Sequence, residues 1–478
     1  MEVQKETKKL INISKRTFIA ALSMLIALLI LAIIFTYIIP KGQFGTQIVD
    51  GKEVIDYTQY IKIEDEKGIN ILKGIFAPIL ILGSSDGISV IILSIFLLVI
   101  AGAFQGMSDS LGIKVIINRI VKKFKNKKFL LLAMISLIFM AFGSLLGLFE
   151  EMLTLLPIMV ILALSLGYDS FTGFLISIVS CGFGFSTAIT NPFTVIFASN
   201  IIGANPVANI WFRIITFIVM YGLMLLVIFL YNKKISKNKE KSLTYEKDLN
   251  FENDMNLDEN IPNEKIIFNT YVIFFSVVLF VTILFSALNA LRDYTIIALI
   301  VVFLFGGNLA AYISFNKDFK KMAKSFLSGL LSALPTIAFI LLASSVKYVL
   351  VEGHVLPTIS HSINNLVQTE NPYLLAAILF GIILFLEFFV SSSTAKAIFV
   401  MAILSVLNLG LTKETIVLIY TFADGYTNLL FPTSPVLLIG LSMVGVSYFK
   451  WLKKSWWLFV ITFILALGFV ALAILLHI

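Results

Sequence analysis

The sequence of 478 residues is poor in cysteine, histidine and charged residues. Its single cysteine, Cys181, excludes a disulfide framework and any zinc site built on several thiolates. Three histidines leave few ligands for a transition metal. Charged residues make up 13% of the chain, whereas soluble domains contain about 25%. The chain therefore has too little polar surface to cover a water-soluble globule.

Apolar residues take the place of the missing charge. They make up 59% of the chain, with 43 phenylalanines, and the mean hydropathy is +0.98. This composition predicts an all-α polytopic membrane protein. The net charge of +8 comes from short Lys and Arg runs between apolar stretches, a pattern that sets membrane topology and does not indicate nucleic-acid binding. We expect a multi-pass protein of the cytoplasmic membrane, with a cytoplasmic N-terminus and an external C-terminus.

The apolar runs predict about nine transmembrane helices and two re-entrant hairpins. A bilayer core of about 30 Å needs roughly 20 apolar residues for each helical pass. The residues at about 41–73 are mixed in charge and predict an external loop with a small structure of its own. Passes with clear limits lie at about 18–39, 86–106, 210–231, 266–288, 294–313, 331–351 and 456–475.

Two adjacent apolar segments, at about 129–148 and 152–166, are separated only by Phe149, Glu150 and Glu151. If both segments cross the membrane, the two carboxylates lie at its far surface. If the segments form a re-entrant hairpin, the carboxylates lie near mid-depth. The number of passes is compatible with both arrangements.

The charged segment 232–265 divides the chain into two halves, 1–231 and 266–478. Its balanced charge and lack of apolar periodicity predict a flexible cytoplasmic linker. The stretch 352–387 contains no Lys or Arg, whereas its counterpart before Phe129 is the most basic in the chain, so the two halves are predicted to be inverted. Three matches about 240 residues apart support a repeat: Leu166-Gly167 with Leu409-Gly410, Thr190-Asn191 with Thr427-Asn428, and Pro192 with Pro432.

Polar and charged residues interrupt these apolar segments, which is typical of secondary transporters, where irregular backbone lines a binding cavity. Four consecutive hydroxyl side chains, with a lysine shortly after them, suit the tip of a hairpin that binds a carboxylate or a small cation. For the hydroxyls, the alternative is a polar turn at the membrane surface. For the lysine, the alternative is that its side chain snorkels to that surface. Two adjacent acids suit cation binding or proton coupling, with interfacial exposure as the alternative. The candidates are Ser391, Ser392, Ser393, Thr394, Lys396, Glu150, Glu151 and Asp424. Glu387 is a further intramembrane acid.

Proline-containing breaks supply a second group of candidates. A proline frees a backbone carbonyl, and polar side chains beside it add oxygen ligands; a proline kink without any ligand is the alternative. Helix breaks are predicted at Pro192 and Pro432, and a coupling Na+ would lie near Asn191 and Asn428. The neighbouring candidates are Thr190, Thr427, Thr433 and Ser434. No metal site or cofactor is expected, and a coupling ion would be Na+ or H+.

Several other residues have structural interpretations. Cys181 is predicted to be a packing residue, and Trp451, Trp456 and Trp457 are predicted to form an interfacial belt. The sequence contains no HExxH, Walker A or GxSxG pattern, which disfavours a membrane-embedded enzyme.

At these motifs the sequence resembles the YfcC-type family of C4-dicarboxylate anaerobic carriers, which are provisionally described as basic amino-acid antiporters within the ion transporter superfamily. The resemblance covers most of the chain outside 232–265, and Thr394 stands where a glycine is expected. It rests on Glu150-Glu151, Leu166-Gly167-Tyr168-Asp169, Asn191-Pro192-Phe193, Ser391-Ser392-Ser393 with Lys396-Ala397, Asp424-Gly425, Thr427-Asn428 and Pro432-Thr433-Ser434.

This resemblance implies an inverted-repeat fold with two hairpins entering from opposite faces and a substrate site between the hairpin tips and the broken helices. It also implies a scaffold that often forms homodimers, and elevator-like movement of the hairpin-bearing domain.

The residue types favour an amino-acid substrate. Lys396 and the helix-break amides suit a carboxylate, whereas Glu150, Glu151 and Asp424 suit an amino or guanidinium group. We therefore expect a secondary active transporter, not an enzyme, that exchanges amino acids of the arginine and ornithine type by alternating access. In it, Lys396 either binds the substrate carboxylate or stands in for a coupling sodium ion. The alternative is a Na+- or H+-coupled C4-dicarboxylate transporter, in which Lys396 and the serines hold the substrate. The expected partners are this small-molecule substrate, the lipid bilayer and a second copy of the chain.

Overall fold

The computed structural model describes most of the chain. The described residues are 15–49, 52–64, 67–124, 126–252, 261, 263–288, 290–291, 294–366, 369–390, 393, 396–397, 400–401, 404 and 410–478.

Long apolar helices dominate these residues, because only a helix satisfies its own backbone groups within lipid. Seven are long and apolar enough to cross a membrane, and a further apolar helix, Lys15–Ile38, lies at the start of the described chain. The predicted all-α polytopic membrane fold is confirmed. The seven are Gly87–Asp109, Lys128–Leu146, Ile210–Lys237, Glu264–Ala287, Thr295–Ser314, Phe319–Glu352 and Tyr448–Leu475.

Shorter helices complete the fold, and several continue one another through π-helical turns at Phe142–Leu146, Leu175–Val179, Pro192–Ile196 and Val302–Gly307. Single turns of 3-10 helix lie at Ile81–Gly83, Glu151–Thr154 and Lys239–Lys241. The shorter helices are Ile71–Ile75, Ala77–Leu80, Gly112–Phe124, Leu156–Ser165, Ser170–Phe174, Ser180–Ser186, Phe197–Ile202, Tyr245–Glu252, Val355–Leu366, Pro372–Glu387, Lys413–Thr427 and Pro435–Val444.

The order of elements repeats along the chain. In the first half a long helix is followed by an amphipathic helix, a hairpin, a helix broken in its middle and a final long helix; the described residues of the second half follow the same order, with the first arm of the predicted hairpin at Pro372–Glu387. We name the hairpins and broken helices by their half. Hairpin 1 is 128–166 and hairpin 2 begins with Pro372–Glu387; broken helix 1 consists of Ser170–Ser186 and Pro192–Ile202, and broken helix 2 of Lys413–Thr427 and Pro435–Val444.

Hairpin 1 has the geometry of a re-entrant element. Its two ends lie together, as they would in either arrangement: Lys128 Nζ donates a hydrogen bond to the carbonyl of Leu166 at 2.6 Å. Its second arm, Leu156–Ser165, is a helix of 10 residues. Such a helix is about 15 Å long, whereas the hydrocarbon core of a bilayer is about 30 Å thick. This arm is too short to cross the membrane, so the structure favours the re-entrant arrangement over two full passes.

The long helices Gly87–Asp109 and Phe319–Glu352 pack along each other through small residues. A side chain at Gly329 would overlap the carbonyl of Ala101, and one at Gly102 would meet the ring of Phe326. Close backbone approach at small residues replaces the hydrophobic driving force that is absent between helices in lipid. These two helices hold corresponding places in the two halves.

The segment predicted as an external loop contains a β-hairpin. Strands Lys41–Val49 and Lys52–Ile63 pair antiparallel. The hydroxyl of Tyr60 bonds Thr358 Oγ1 at 2.8 Å, and its ring stacks on His361 with centroids 4.1 Å apart. The hairpin is therefore attached to the amphipathic helix of the second half.

Two predicted helix starts differ from the structure. The pass predicted at 331–351 begins at Phe319, and the pass predicted at 456–475 begins at Tyr448, so both helices extend through their basic turns. Lysine stems can cover apolar surface while their charges stay in water, which permits this extension.

The linker predicted to be flexible at 232–265 is folded in its first part. The preceding helix continues to Lys237, and the segment 239–252 docks on the protein. Asp248 accepts hydrogen bonds from the backbone N–H of Ser170, at 2.9 Å, and from its hydroxyl. Lys247 Nζ donates to the carbonyl of Met443. The docked segment thus joins one end of broken helix 1 to one end of broken helix 2.

Candidate functional site

The break in broken helix 1 follows from its sequence. Pro192 opens the second part of the helix, where its missing N–H needs no partner. The side-chain oxygen of Asn191 accepts from the N–H groups of Phe193, at 2.9 Å, and Thr194, at 3.3 Å, and so caps that part. Asn191 is fully buried. Its oxygen thus serves the start of this helix, and a coupling Na+ near Asn191 stays a prediction.

Broken helix 2 is interrupted in the same way but by a different proline. Its second part opens with Pro435, and Ser434 caps it by accepting from the N–H of Leu437 at 3.4 Å. Pro432 lies within the intervening turn, so the structural counterpart of Pro192 is Pro435. The predicted break at Pro432 is present, but its match with Pro192 is wrong. Proline is favoured at the first helical position, and Pro435 occupies that position.

Neutral hydrogen bonds connect the tip of hairpin 1 to the first break. Ser144 Oγ donates to the carbonyl of Thr187 at 2.9 Å, and the carbonyl of Ser144 accepts from the N–H of Ile189 at 3.0 Å. The amide of Asn191 donates to the carbonyl of Gly143 at 3.3 Å. Thr190, which is only partly buried, donates to the carbonyl of Leu145 at 3.1 Å. These contacts satisfy backbone groups that the break exposes.

Glu150 and Glu151 lie inside the protein at the tip of hairpin 1. Glu151 is 6% exposed, and its carboxylate accepts from the N–H of Phe149 at 3.2 Å. Glu150 is partly buried and lies close enough to Asp424 for the two carboxylates to repel each other. Within the described part of the chain, neither acid forms a salt bridge with a lysine or an arginine. Simple interfacial exposure does not describe Glu151.

Lys396 forms the charged centre of hairpin 2. Its side chain is 1% exposed, so the snorkelling alternative is wrong. Its ammonium lies 2.7 Å from the carboxylate of Asp424, forms a second ion pair with Glu387 and donates to the carbonyl of Val390 at 3.3 Å. A buried ammonium group requires such partners, because desolvation of an unpaired charge is costly.

Asp424 also receives a hydroxyl from the serine cluster. Ser393 Oγ donates to the second oxygen of Asp424 at 2.7 Å, and Tyr420 donates its hydroxyl to the carbonyl of Ser393. Hairpin 2 is therefore joined to broken helix 2 by charge as well as by hydrogen bonds. The other predicted residues of the cluster, Ser391, Ser392 and Thr394, lie outside the described residues.

The predicted polar residues of the second break serve mainly their own helix. Thr427 donates to the carbonyl of Asp424 at 2.9 Å, and the amide of Asn428 donates to the same carbonyl at 3.4 Å. Thr433 differs: its buried hydroxyl has no hydrogen-bond partner among the described residues, and the same holds for Thr194 in broken helix 1. Each break thus presents one buried, unpaired hydroxyl.

The two broken helices meet beside their breaks. A side chain at Gly425 would overlap the backbone of Ser186, and one at Gly182 would meet Leu429. The absence of a Cβ lets the two backbones approach closely. This contact brings the residues of both breaks into one interior region.

The structure shows which signals the sequence interpretation missed. Thr194 and Tyr420 were not among the predicted site residues, and Glu387 was noted only as an intramembrane acid. Thr194 lies two residues after Pro192, in the place where a broken helix restarts, and this position was a usable signal. Nothing local in the sequence indicates the contact between Tyr420 and Ser393, because it forms only when hairpin 2 folds onto broken helix 2.

The site region has more negative than positive charge. It holds four carboxylates, Glu150, Glu151, Glu387 and Asp424, and one ammonium group, Lys396, which is already paired with two of them. Two adjacent acids in a low-dielectric interior favour a cation or a proton beside them.

The chain is similar to several known proteins. It is 26% identical to a protein of Escherichia coli (strain K12) provisionally named basic amino acid antiporter YfcC, over 404 residues that cover 80% of this chain and 77% of that protein. It is 24% identical to an uncharacterized protein of Haemophilus influenzae (strain ATCC 51907 / DSM 11121 / KW20 / Rd) over 257 residues, which cover 46% of this chain and 50% of that protein.

Two solved transporter structures also align with the chain. The YdaH transporter of Alcanivorax borkumensis aligns over 95% of this chain and 98% of its own, with a TM-score of 0.46 and 12% identity. MtrF of Neisseria gonorrhoeae, from a class of antimetabolite efflux pumps, aligns over 95% of both chains, with a TM-score of 0.44 and 14% identity.

The sequence profile of the C4-dicarboxylate anaerobic carriers, DcuC, matches residues 18–475, which is nearly the whole chain. The chain belongs to the DcuC family of C4-dicarboxylate anaerobic carriers.

Proposed function

We propose that this carrier exchanges cationic amino acids of the arginine and ornithine type across the cytoplasmic membrane by alternating access. Membership of a carrier family makes the protein a secondary transporter of a small molecule and not an enzyme. The name of the Escherichia coli relative supports a basic amino-acid substrate.

One observation carries the proposal: the site region contains a surplus of carboxylates. Lys396 is already neutralised by Glu387 and Asp424, whereas Glu150 and Glu151 have no cationic partner among the described residues. A guanidinium or ammonium group would supply the missing positive charge and could form charge-assisted hydrogen bonds. A dicarboxylate would instead add two negative charges to a region that already has too many.

We assign the residues accordingly. Glu150 and Glu151 receive the cationic end of the substrate. The unpaired hydroxyls of Thr194 and Thr433 are donors for its carboxylate, because each lies buried close to the point where a broken helix restarts. Lys396 serves as a fixed internal cation between hairpin 2 and broken helix 2. In this assignment it occupies the place of a coupling sodium ion, so exchange requires no sodium.

The alternative is a Na+- or H+-coupled C4-dicarboxylate transporter. The family description favours it, and so does the presence of an ammonium and a serine hydroxyl at one hairpin tip. In that case Glu150 and Glu151 would take up the coupling cation or proton, and Lys396 would leave one of its carboxylate partners to bind substrate.

Counterflow in proteoliposomes distinguishes the two functions. Vesicles are loaded with unlabelled ornithine or succinate, and the entry of labelled arginine and labelled succinate is followed with and without sodium. We expect ornithine inside to drive arginine accumulation in the absence of sodium. Sodium-dependent accumulation of succinate, with no arginine counterflow, would establish the alternative.

A matched pair of variants links the activity to the site. Glu151→Gln should raise the arginine concentration for half-maximal counterflow about ten- to hundredfold, whereas Glu240→Gln, at an exposed position in the docked segment, should leave it unchanged. Equal activity of the two variants would contradict the site assignment.

The orientation of the termini and the homodimer stay predictions. Labelling of introduced cysteines tests the orientation with little background, because Cys181 is the sole native cysteine and is buried. A cysteine at Glu240 should react from the cytoplasmic side and one at His477 from outside. Cross-linking in native membranes tests the dimer.

A further inference from the structure

A cavity of about 200 Å³ lies between the ends of two long helices, away from the site region. Its walls come from Ile210–Lys237 and Tyr448–Leu475, from the beginning of broken helix 1 and from the docked segment 239–252. Most of its lining is apolar. The apolar and aromatic lining residues are Phe171, Leu175, Val227, Leu230, Tyr231, Leu243, Trp451, Trp457 and Leu458.

Three lysines line the same cavity: Lys234, Lys241 and Lys454. They come from three different elements, so the fold brings their charges together. Within the described part of the chain, none of them forms a salt bridge. The acid Asp169 lies beside the cavity, where it accepts hydrogen bonds from Tyr231, a lining residue, at 2.5 Å and from Ser242 at 2.6 Å. The cavity thus combines an apolar interior with three lysines that have no salt-bridge partner among the described residues, against one nearby acid.

The mouth of the cavity has the character of a membrane interface. Leu230 is 50% exposed and Trp457 is 38% exposed. The indole N–H of Trp457 donates to the carbonyl of Lys454 at 2.9 Å. An exposed tryptophan beside lysines, next to an exposed apolar residue, is typical of the headgroup level of a bilayer.

Trp451 forms the inner wall and does not belong to the predicted interfacial belt. It is buried, its indole N–H donates to the carbonyl of Leu429 at 2.9 Å, and its ring packs against Phe171 and Phe174. The belt prediction is therefore wrong for Trp451, although Trp456 and Trp457 are exposed. Through Trp451 the cavity contacts the beginning of broken helix 1.

We propose that this cavity binds an anionic phospholipid from the leaflet at the basic ends of the two long helices. The phosphodiester lies among Lys234, Lys241 and Lys454, and an acyl chain lies along Leu175, Val227 and Leu458. Basic pockets between transmembrane helices are suited to acidic headgroups, and the apolar lining matches a lipid better than it matches free phosphate. The proposal does not depend on which substrate is carried.

The test measures lipid binding to the delipidated full-length protein in detergent. Phosphatidylglycerol, phosphatidylcholine and inorganic phosphate are titrated separately, and the melting temperature and the bound lipid in native mass spectra are recorded. We expect saturable stabilisation and one retained lipid with phosphatidylglycerol alone. If phosphatidylcholine raised the melting temperature as much as phosphatidylglycerol does, the role of the lysines would be overturned. Stabilisation by inorganic phosphate would overturn the role of the apolar cavity.

Variants locate the site. The double variant K234Q/K454Q should bind phosphatidylglycerol about tenfold more weakly or worse, because each lysine near a lipid headgroup contributes to binding. The control K233Q/K453Q removes the same charge from neighbouring positions on the same helices, which do not line the cavity, and should bind like the wild type. Glutamine retains part of the lysine stem, so packing is preserved.

Lys241→Gln provides an independent check, because Lys241 lies in the docked segment and leaves both long helices unchanged. It should weaken binding without lowering the melting temperature of the lipid-free protein. Wild-type affinity in both K234Q/K454Q and Lys241→Gln would overturn the proposal.

Discussion

The two hairpin tips hold their broken helices by different means. In the first half, Ser144 and Asn191 connect hairpin 1 to its helix break through neutral hydrogen bonds. In the second half, Lys396 connects hairpin 2 to broken helix 2 through ion pairs with Asp424 and Glu387. The acids of the first half therefore remain available, whereas those of the second half are occupied. Similar elements in the two halves thus differ in charge: the second half holds a paired lysine, and the first holds acids without a cationic partner among the described residues.

Removal of the internal cation should have the largest effect on stability. Lys396→Met leaves Glu387 and Asp424 buried without a cation, and breaking a buried pair in this way costs about 3–5 kcal/mol. We expect a strongly lowered melting temperature in detergent. The triple variant K396M/E387Q/D424N should recover most of the stability but not the exchange activity.

The control for this change is a more exposed pair. Lys347 lies 2.7 Å from Asp86, whose side chain is 40% exposed, and such pairs contribute about 1 kcal/mol or less. Lys347→Met should therefore have little effect. If the Lys396→Met and Lys347→Met variants had the same melting temperature, the ion pairs of Lys396 would not stabilise hairpin 2 as described.

Neutralising the available acids should affect transport and not stability. A hydrogen bond to a charged group contributes roughly 1.5–3 kcal/mol, which corresponds to about a ten- to hundredfold change in affinity. Glu150→Gln and Glu151→Gln should each weaken arginine binding by that factor, measured as the concentration for half-maximal counterflow. Their melting temperatures should stay at or above that of the wild type, since an uncompensated buried charge is removed. A large loss of stability would show that these acids serve the fold.

Disturbing the close contact between the broken helices should have a smaller effect on the melting temperature and on counterflow. Gly425→Ala places a methyl group against the backbone of Ser186, and overpacking of this kind costs typically 1–3 kcal/mol. Gly381, in the first arm of hairpin 2, faces open space. Gly381→Ala should therefore be neutral in melting and counterflow experiments. Equal behaviour of the two variants would contradict the close approach.

The docked segment predicts a modest pH dependence. Burial lowers the pKa of Lys247 to about 8, although the neighbouring Asp248 opposes this shift. Between about pH 8 and the ordinary value near 10.4, the undocked lysine binds more protons than the docked one, so docking strengthens as pH rises. The melting temperature of the wild type relative to Lys247→Met should rise between pH 8 and pH 10. A constant difference would show that Lys247 does not change its protonation on docking.

Hydropathy was sufficient to predict most membrane segments, because about 20 apolar residues in lipid have few alternatives to a helix. Asn191-Pro192 was also interpretable, since a capping residue before a proline marks a helix start. The sequence could not decide whether hairpin 1 is re-entrant; the shortness of Leu156–Ser165 favours that arrangement.

Pairing partners far apart in the chain were not predictable. The sequence predicts Lys396 at a hairpin tip, with snorkelling as the alternative, but its neutralisation by Asp424 and Glu387 depends on how hairpin 2 folds. The docking of 239–252 was missed for a related reason. Its charges indicate a solvated linker, yet Asp248 and Lys247 find partners at Ser170 and Met443. Composition describes a segment's average preference, whereas docking depends on a few specific contacts.

The unpaired acids of hairpin 1 have an electrical consequence for the unloaded carrier. Moving uncompensated negative charge through a bilayer is costly, and a membrane potential adds or removes about 2.3 kcal/mol per charge for each 100 mV. A cationic substrate cancels part of this charge, so the loaded protein should reorient faster than the empty one. We therefore expect labelled arginine to leave proteoliposomes slowly until arginine or ornithine is added outside, with an exchange rate that responds to an imposed voltage.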